Sequence, residues 1–172
     1  MVNGTYIVQN WEYAKSLGRV TCIIMAKIWF ISPAACSNVT KRSLYDVLPF
    51  PNTLAVAEVK GSDLKAALGN GVSEIESGSG RFPQIAGMSF AFDMKQPKGS
   101  RVTGVKVGGK ALEEDTTYQV ATNDFLIAGG DGYSMFMNQK SLDTGVTLYE
   151  VVEQYMKAKK EITGKIEQRI RQ

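Results

Sequence analysis

Apolar residues fall on every second position in the middle of this chain, and that alternation constrains the fold more than any other feature. Met88, Phe90 and Phe92 give one strand a strongly apolar face. Val105 and Val107 alternate again, and Gly108-Gly109 supplies a hairpin turn that tolerates positive φ. Leu54, Val56 and Val59 read as an earlier strand. Tyr118 and Val120 mark a later one that runs directly into Asn123-Asp124-Phe125. Pro97-Lys98-Gly99 is a turn, and the Ser/Gly-rich stretch from Glu74 to Gly80 is a loop.

Helical spacing frames these strands. Thr40 caps a short helix with Leu44, Val47 and Leu48 on one face, ended by Pro49. Pro49 and Pro51 then enforce an extended stretch through Asn52. Ser62 is placed to cap a second helix with Leu64, Ala67, Leu68 and Val72 inside. Gly69 and Gly71 weaken its last turn by roughly 1 kcal/mol each. Thr147 and Glu150 form a capping-box pair ahead of the stripe Leu148, Val151, Val152, Tyr155 and Met156. Short strands joined mostly by hairpins and flanked by a few helices predict a single α+β domain.

The chain has 172 residues, enough for one domain with a core, or for one domain and an arm. Residues 1–38 read as the arm: Trp11, Tyr13, Trp29 and Phe30 show no periodicity, and this part is expected to be the least well packed. Residues 39–166 read as the domain and 167–172 as a basic tail. The last 22 residues carry the whole net charge of +3. No aromatic interleaving accompanies those bases, so they read as a solvated helix face and no nucleic-acid partner is expected. No run reaches 18 apolar residues, so no membrane span is expected. Val20 to Cys36 imitates a secretion signal faintly, but Lys27 interrupts its apolar part.

The sequence contains no histidine. That excludes a Ser-His-Asp triad, a Cys-His dyad and histidine-ligated metal within these residues. Cys22 and Cys36 cannot make a four-thiolate site, and their spacing leaves open whether they pair or are small buried apolar groups. No catalytic residue and no metal ligand is therefore assigned.

Two glycine-rich loops each hold an aromatic: Gly80-Arg81-Phe82-Pro83-Gln84, and Asn123 to Tyr133 with Phe125, Gly129, Gly130, Asp131 and Gly132. Glycines beside a ring let backbone come close to a flat ligand while the ring stacks on it. If both loops leave one sheet edge, Phe82 and Phe125 would clamp a planar base. Asp131 would then accept hydrogen bonds from the vicinal hydroxyls of a ribose. A phenylalanine beside a turn is more often core, and an aspartate among glycines is more often a turn residue.

Five blocks stand in register: Leu48-Pro49-Phe50-Pro51-Asn52-Thr53-Leu54, Lys60-Gly61-Ser62-Asp63-Leu64-Lys65, Gly80 to Gln84, Pro97-Lys98-Gly99-Ser100-Arg101-Val102, and Asn123 to Tyr133. In that order and spacing the chain resembles the C-terminal domain of bacterial and animal 5′-nucleotidases, the UDP-sugar hydrolases and 2′,3′-cyclic-nucleotide phosphodiesterases among them. The resemblance implies an α/β/β/α sandwich that binds the nucleoside part of a substrate. It puts Phe82 and Phe125 on the two faces of the base and Asp131 on the ribose, with Asn123, Gly129 and Gly130 in the same loop as substrate-binding residues. It also implies a separate N-terminal metallophosphatase domain that uses two divalent metal ions and a catalytic histidine, and a periplasmic, extracellular or cell-surface location. No cofactor is expected on these residues.

One departure matters. The family carries an Asn-Gly-Gly-Gly-Ile-Arg-type loop shortly before Asn38, and here that place reads Ile31 to Ser37 without arginine or a glycine run. The expectation is a nucleotide-recognition domain in nucleotide catabolism that does not hydrolyse phosphate esters alone. The alternatives are a subunit completed by a separately encoded catalytic domain, a stand-alone nucleoside-binding module, and a degenerate, truncated gene product that merely folds.

Overall fold

The computed structural model describes residues 40–159 and 167–172, together with the backbone of Cys22–Ala26. In chain order its elements are β1 (Cys22–Ala26), α1 (Lys41–Val47), β2 (Thr53–Lys60), α2 (Gly61–Gly71), β3 (Pro83–Ala86), β4 (Met88–Phe92) and β5 (Val102–Val107). There follow β6 (Lys110–Ala111), β7 (Thr117–Asn123), α3 (Asp124–Ile127), β8 (Ser141–Thr147), α4 (Leu148–Lys159) and β9 (Ile170–Arg171). They build two sheets, one in the order β3-β1-β7-β2-β8 and one in the order β6-β5-β4-β9.

The alternating strands form as their pattern requires. Met88, Phe90 and Phe92 are all buried, with half-buried neighbours between them. Gly108 and Gly109 turn β5 into β6 at φ 58 and 85, a conformation that side chains with a Cβ resist. The capping box at α4 is present: Thr147 N donates to Glu150 Oε2 at 3.0 Å, and Glu150 N donates to Thr147 Oγ1 at 3.2 Å. Thr40 caps α1 through Ser43.

Helix α2 starts two residues earlier than its sequence predicts, and Ser62 is not its cap. Lys60 is the N-cap and makes no side-chain cap bond. The loop before β7 does the capping instead: Gly61 N donates to Thr116 O and Ser62 N to Glu114 O, both at 2.9 Å. A Cβ on Gly61 would stand 2.1 Å from the Glu113 carbonyl oxygen, so the approach of that loop demands glycine.

The main core lies between the sheets. Ala57 and Val59 of β2, Ile85 of β3 and Val120 of β7 face the β4 triplet there, with Leu64, Ala67 and Leu68 of α2. On the other face of the larger sheet, Leu54, Ala86 and Ala121 pack against Leu148 and Val151 of α4, and α1 packs beside α4. This is the expected α+β sandwich. Each fully buried Leu, Phe or Val in it contributes on the order of 1.5–3 kcal/mol.

Two boundaries of the sequence reading do not coincide with the sheets. Strand β1 falls in the 1–38 arm, yet it pairs antiparallel with β3 and parallel with β7 inside the larger sheet. The 167–172 tail supplies β9, parallel to β4, with Ile170 packed on the main core. Arg169 Nη1 reaches across to the Ile85 carbonyl at 2.7 Å. Cys36, the side chain of Cys22 and the segment Ile31–Ser37 lie outside the described residues.

Candidate functional site

Strand β7 ends at Asn123, and the site is built from that point on. The Asn123 side chain caps the single turn of α3, with its Oδ1 accepting from Leu126 N at 2.8 Å. The residue is buried, so the structure gives this predicted ligand residue a capping task. Asp124 points the other way: its Oδ1 accepts from Asn52 Nδ2 at 2.9 Å and from Thr53 N at 3.1 Å. The turn then presents Phe125 at the surface, 46% exposed.

Gly129 and Gly130 shape what lies under that ring. Gly129 has φ 86. A Cβ on Gly130 would stand 2.4 Å from two Phe125 ring carbons, so the ring rests on bare backbone. Asp131 follows at φ 53, left-handed without being glycine. Such a residue costs on the order of 1 kcal/mol or more and persists only where its surroundings hold it.

Those surroundings come from the other predicted loop and from α2. Asn70 Nδ2 donates to the Asp131 carbonyl at 3.1 Å. The Tyr133 hydroxyl donates to the Arg81 carbonyl at 2.7 Å. Tyr133 is fully buried and stacked on Phe136 at 5.8 Å. Burial, and then the Asp131 charge, push its pKa up, so the hydroxyl stays a proton donor. Arg81 Nη1 donates to Asn70 Oδ1 and its Nε to Ser79 Oγ, each at 3.3 Å. The two glycine-rich loops therefore lie side by side, and Asp131 is exposed.

The two predicted clamp aromatics are placed differently. Phe82 is half-buried, packs on the main core and meets Phe92 edge-on, with centroids 6.3 Å apart. Phe50, by contrast, is 64% exposed. It stands two residues before Asn52, whose side chain is bonded to the residue preceding Phe125. The sequence signal was available: a phenylalanine between Pro49 and Pro51 has no strand or helix to bury it.

Among the described residues, no group of three or more Cys, Asp and Glu side chains could hold a metal ion. No helix among them is long and apolar enough to cross a membrane.

The family model for the C-terminal domain of 5′-nucleotidase matches residues 9–138, most of the chain. The chain belongs to that family. The match begins well before the first block read from the sequence and takes in β1. The chain is 42% identical over 142 residues to the Trifunctional nucleotide phosphoesterase protein YfkN of Bacillus subtilis, covering 78% of this chain and 10% of that protein. It is 36% identical over 137 residues to a 5′-nucleotidase of Diplobatis ommata, covering 74% of this chain and 24% of that one. A 5′-nucleotidase precursor from Thermus thermophilus superposes with a TM-score of 0.88 at 33% identity, over 94% of this chain and 33% of the other. The chain thus spans a third or less of each of these relatives.

Proposed function

We propose that this domain holds the nucleoside part of a nucleotide for a metal-dependent phosphoesterase domain and performs no hydrolysis itself. The observation that supports this best is the pairing of an exposed ring, Phe125, with an exposed carboxylate, Asp131, across a turn whose backbone is fixed from two sides. The base stacks on Phe125, and the ribose hydroxyls donate to Asp131. Phe50 is the aromatic that closes the second face of the base. Phe82 supports the loop beneath it. The relatives named as nucleotide phosphoesterase and 5′-nucleotidase agree with this substrate class. The phosphate chemistry, with its two divalent metal ions, belongs to a catalytic domain outside these residues. The histidine-free sequence is consistent with that division. The Thermus relative is described as a precursor, which fits work outside the cytoplasm.

The test is a titration of adenosine and AMP followed by amide chemical shifts. Shifts are expected at residues 123–133 and around Phe50, and they should weaken in Phe125→Ala and Asp131→Ala. Two stacking faces at roughly 1–3 kcal/mol each, less the cost of association, imply affinity on the order of millimolar. AMP is expected to bind no more tightly than adenosine. Shifts confined to the basic residues between Lys157 and Arg171 would overturn the site.

A further inference from the structure

Asn70 sits in the last turn of α2, outside both glycine-rich loops, and no motif in the sequence singles it out. Its amide nonetheless joins three segments. On one side Nδ2 donates to the Asp131 carbonyl at 3.1 Å. On the other, Oδ1 accepts from Arg81 Nη1 at 3.3 Å. A carbonyl accepts only and a guanidinium donates only, so the two partners together fix which end of the amide faces which. Arg81 is itself held by Ser79 Oγ at 3.3 Å. The Asn70 amide also lies against Gly132, where a Cβ would meet Oδ1 at 3.0 Å. It therefore touches the turn at the one non-glycine residue in the loop with positive φ.

We propose that Asn70 is the positioning residue of the nucleoside site: it holds the left-handed Asp131 turn so that the carboxylate meets the ribose, and Arg81 keys its amide. The proposal rests on the reading of Asp131 as the ribose acceptor. Without the Asn70 donor, the strained turn loses its hydrogen bond from α2, and relaxation moves the Asp131 carboxylate out of reach of the ribose. Base stacking on Phe125 does not pass through Asn70 and is left intact. Asn70 thus governs recognition of the sugar alone.

The experiment compares adenosine with 2′,3′-dideoxyadenosine on wild type, Asn70→Ala, Asn70→Asp and Arg81→Met, with thermal stability measured alongside. Wild type is expected to prefer adenosine by about tenfold or more, since the dideoxy ligand lacks both hydroxyls that donate to the Asp131 carboxylate. Asn70→Ala should bring the two ligands to within about twofold of each other by losing affinity for adenosine only. Asn70→Asp keeps an acceptor for Arg81 but offers the Asp131 carbonyl no donor. It should lose the preference while melting no lower than Asn70→Ala. Arg81→Met should fall between wild type and Asn70→Ala. If wild type prefers adenosine and Asn70→Ala weakens both ligands equally, or if Asn70→Asp keeps the preference, Asn70 is structural only and the proposal fails. If wild type itself does not distinguish the ligands, the ribose role of Asp131 fails, and this proposal with it.

Discussion

Asp124 accepts hydrogen bonds from both the side chain of Asn52 and the backbone of Thr53, at 2.9 and 3.1 Å. One carboxylate oxygen thereby fastens the start of β2 to the turn that carries Phe125. Leu54 and Asn123 pair directly across β2 and β7 just beyond it. The extended Pro49–Asn52 stretch is thus tied to the site at one point. Asp124→Ala should cost about 1–3 kcal/mol of stability, since a part-buried amide and a backbone N–H lose a charged acceptor. Asp124→Asn keeps an acceptor oxygen and should recover most of that loss. Chemical denaturation of the two variants measures both. Equal stability of wild type and Asp124→Ala would show that the tie carries no weight.

Glycine at 130 is required by a ring and not by its backbone torsion. Gly130→Ala would drive a methyl to within 2.4 Å of Phe125 ring carbons, so the ring must swing off the loop. Loss of nucleoside binding is expected with little loss of stability, because Phe125 is exposed and can move. Gly61→Ala is the contrasting case. Its methyl would meet a backbone carbonyl at 2.1 Å and cannot be accommodated by a rotamer change. A loss of about 2–4 kcal/mol is expected there, through displacement of the Glu113–Thr116 loop that caps α2. Melting temperatures and adenosine titrations of both variants separate the two effects.

Arg101 is buried in the turn behind α2, where its Nη1 donates to the Val72 carbonyl at 3.0 Å and to Glu76 Oε2 at 3.0 Å, while its Nη2 pairs with Glu76 Oε1. The hydrogen bonds from Arg101 hold the Glu76 carboxyl down to about 2. A carboxyl whose pKa is lower in the folded state stabilises above its unfolded value and stops doing so as the pH falls through the folded one. The difference in melting temperature between wild type and Glu76→Gln should therefore be constant above about pH 5 and close as the pH approaches about 2. A difference that widens on acidification would contradict the pairing.

Periodicity made most of the fold legible. The β4 triplet, the Gly108-Gly109 hairpin and the Thr147–Glu150 box each carry their own local signal, and each forms as read. Strand β1 carries none. Cys22-Ile23-Ile24-Met25-Ala26 is continuously apolar and shows no alternation to count, and the strand is defined by its pairing with β3 and β7. The two-residue strand β9 is shorter than any pattern and is defined by its partner β4 alone. In the site, the glycines and Asp131 were visible from turn chemistry. Asn70 was not, because a helical asparagine gains a role only when distant backbone arrives beside it.

Phe82 and Phe50 separate by burial, which gives the sharpest test of the site. Phe125→Ala and Phe50→Ala remove rings that are 46% and 64% exposed, so neither should cost more than about 1 kcal/mol of stability. Each should weaken adenosine binding by about 1–3 kcal/mol, the worth of one stacking face. Phe82→Ala takes a half-buried ring from its contacts with Phe92 and the main core, and should cost about 2 kcal/mol or more of stability. Its effect on binding should be the smaller. The Arg81 and Tyr133 contacts that hold the adjoining loop do not involve its ring. Measuring stability and adenosine affinity on all three variants gives a pattern that burial alone dictates: two rings that matter to the ligand, one that matters to the fold. Loss of binding on Phe82→Ala with unchanged stability, together with wild-type binding by Phe50→Ala, would return the second face of the clamp to Phe82.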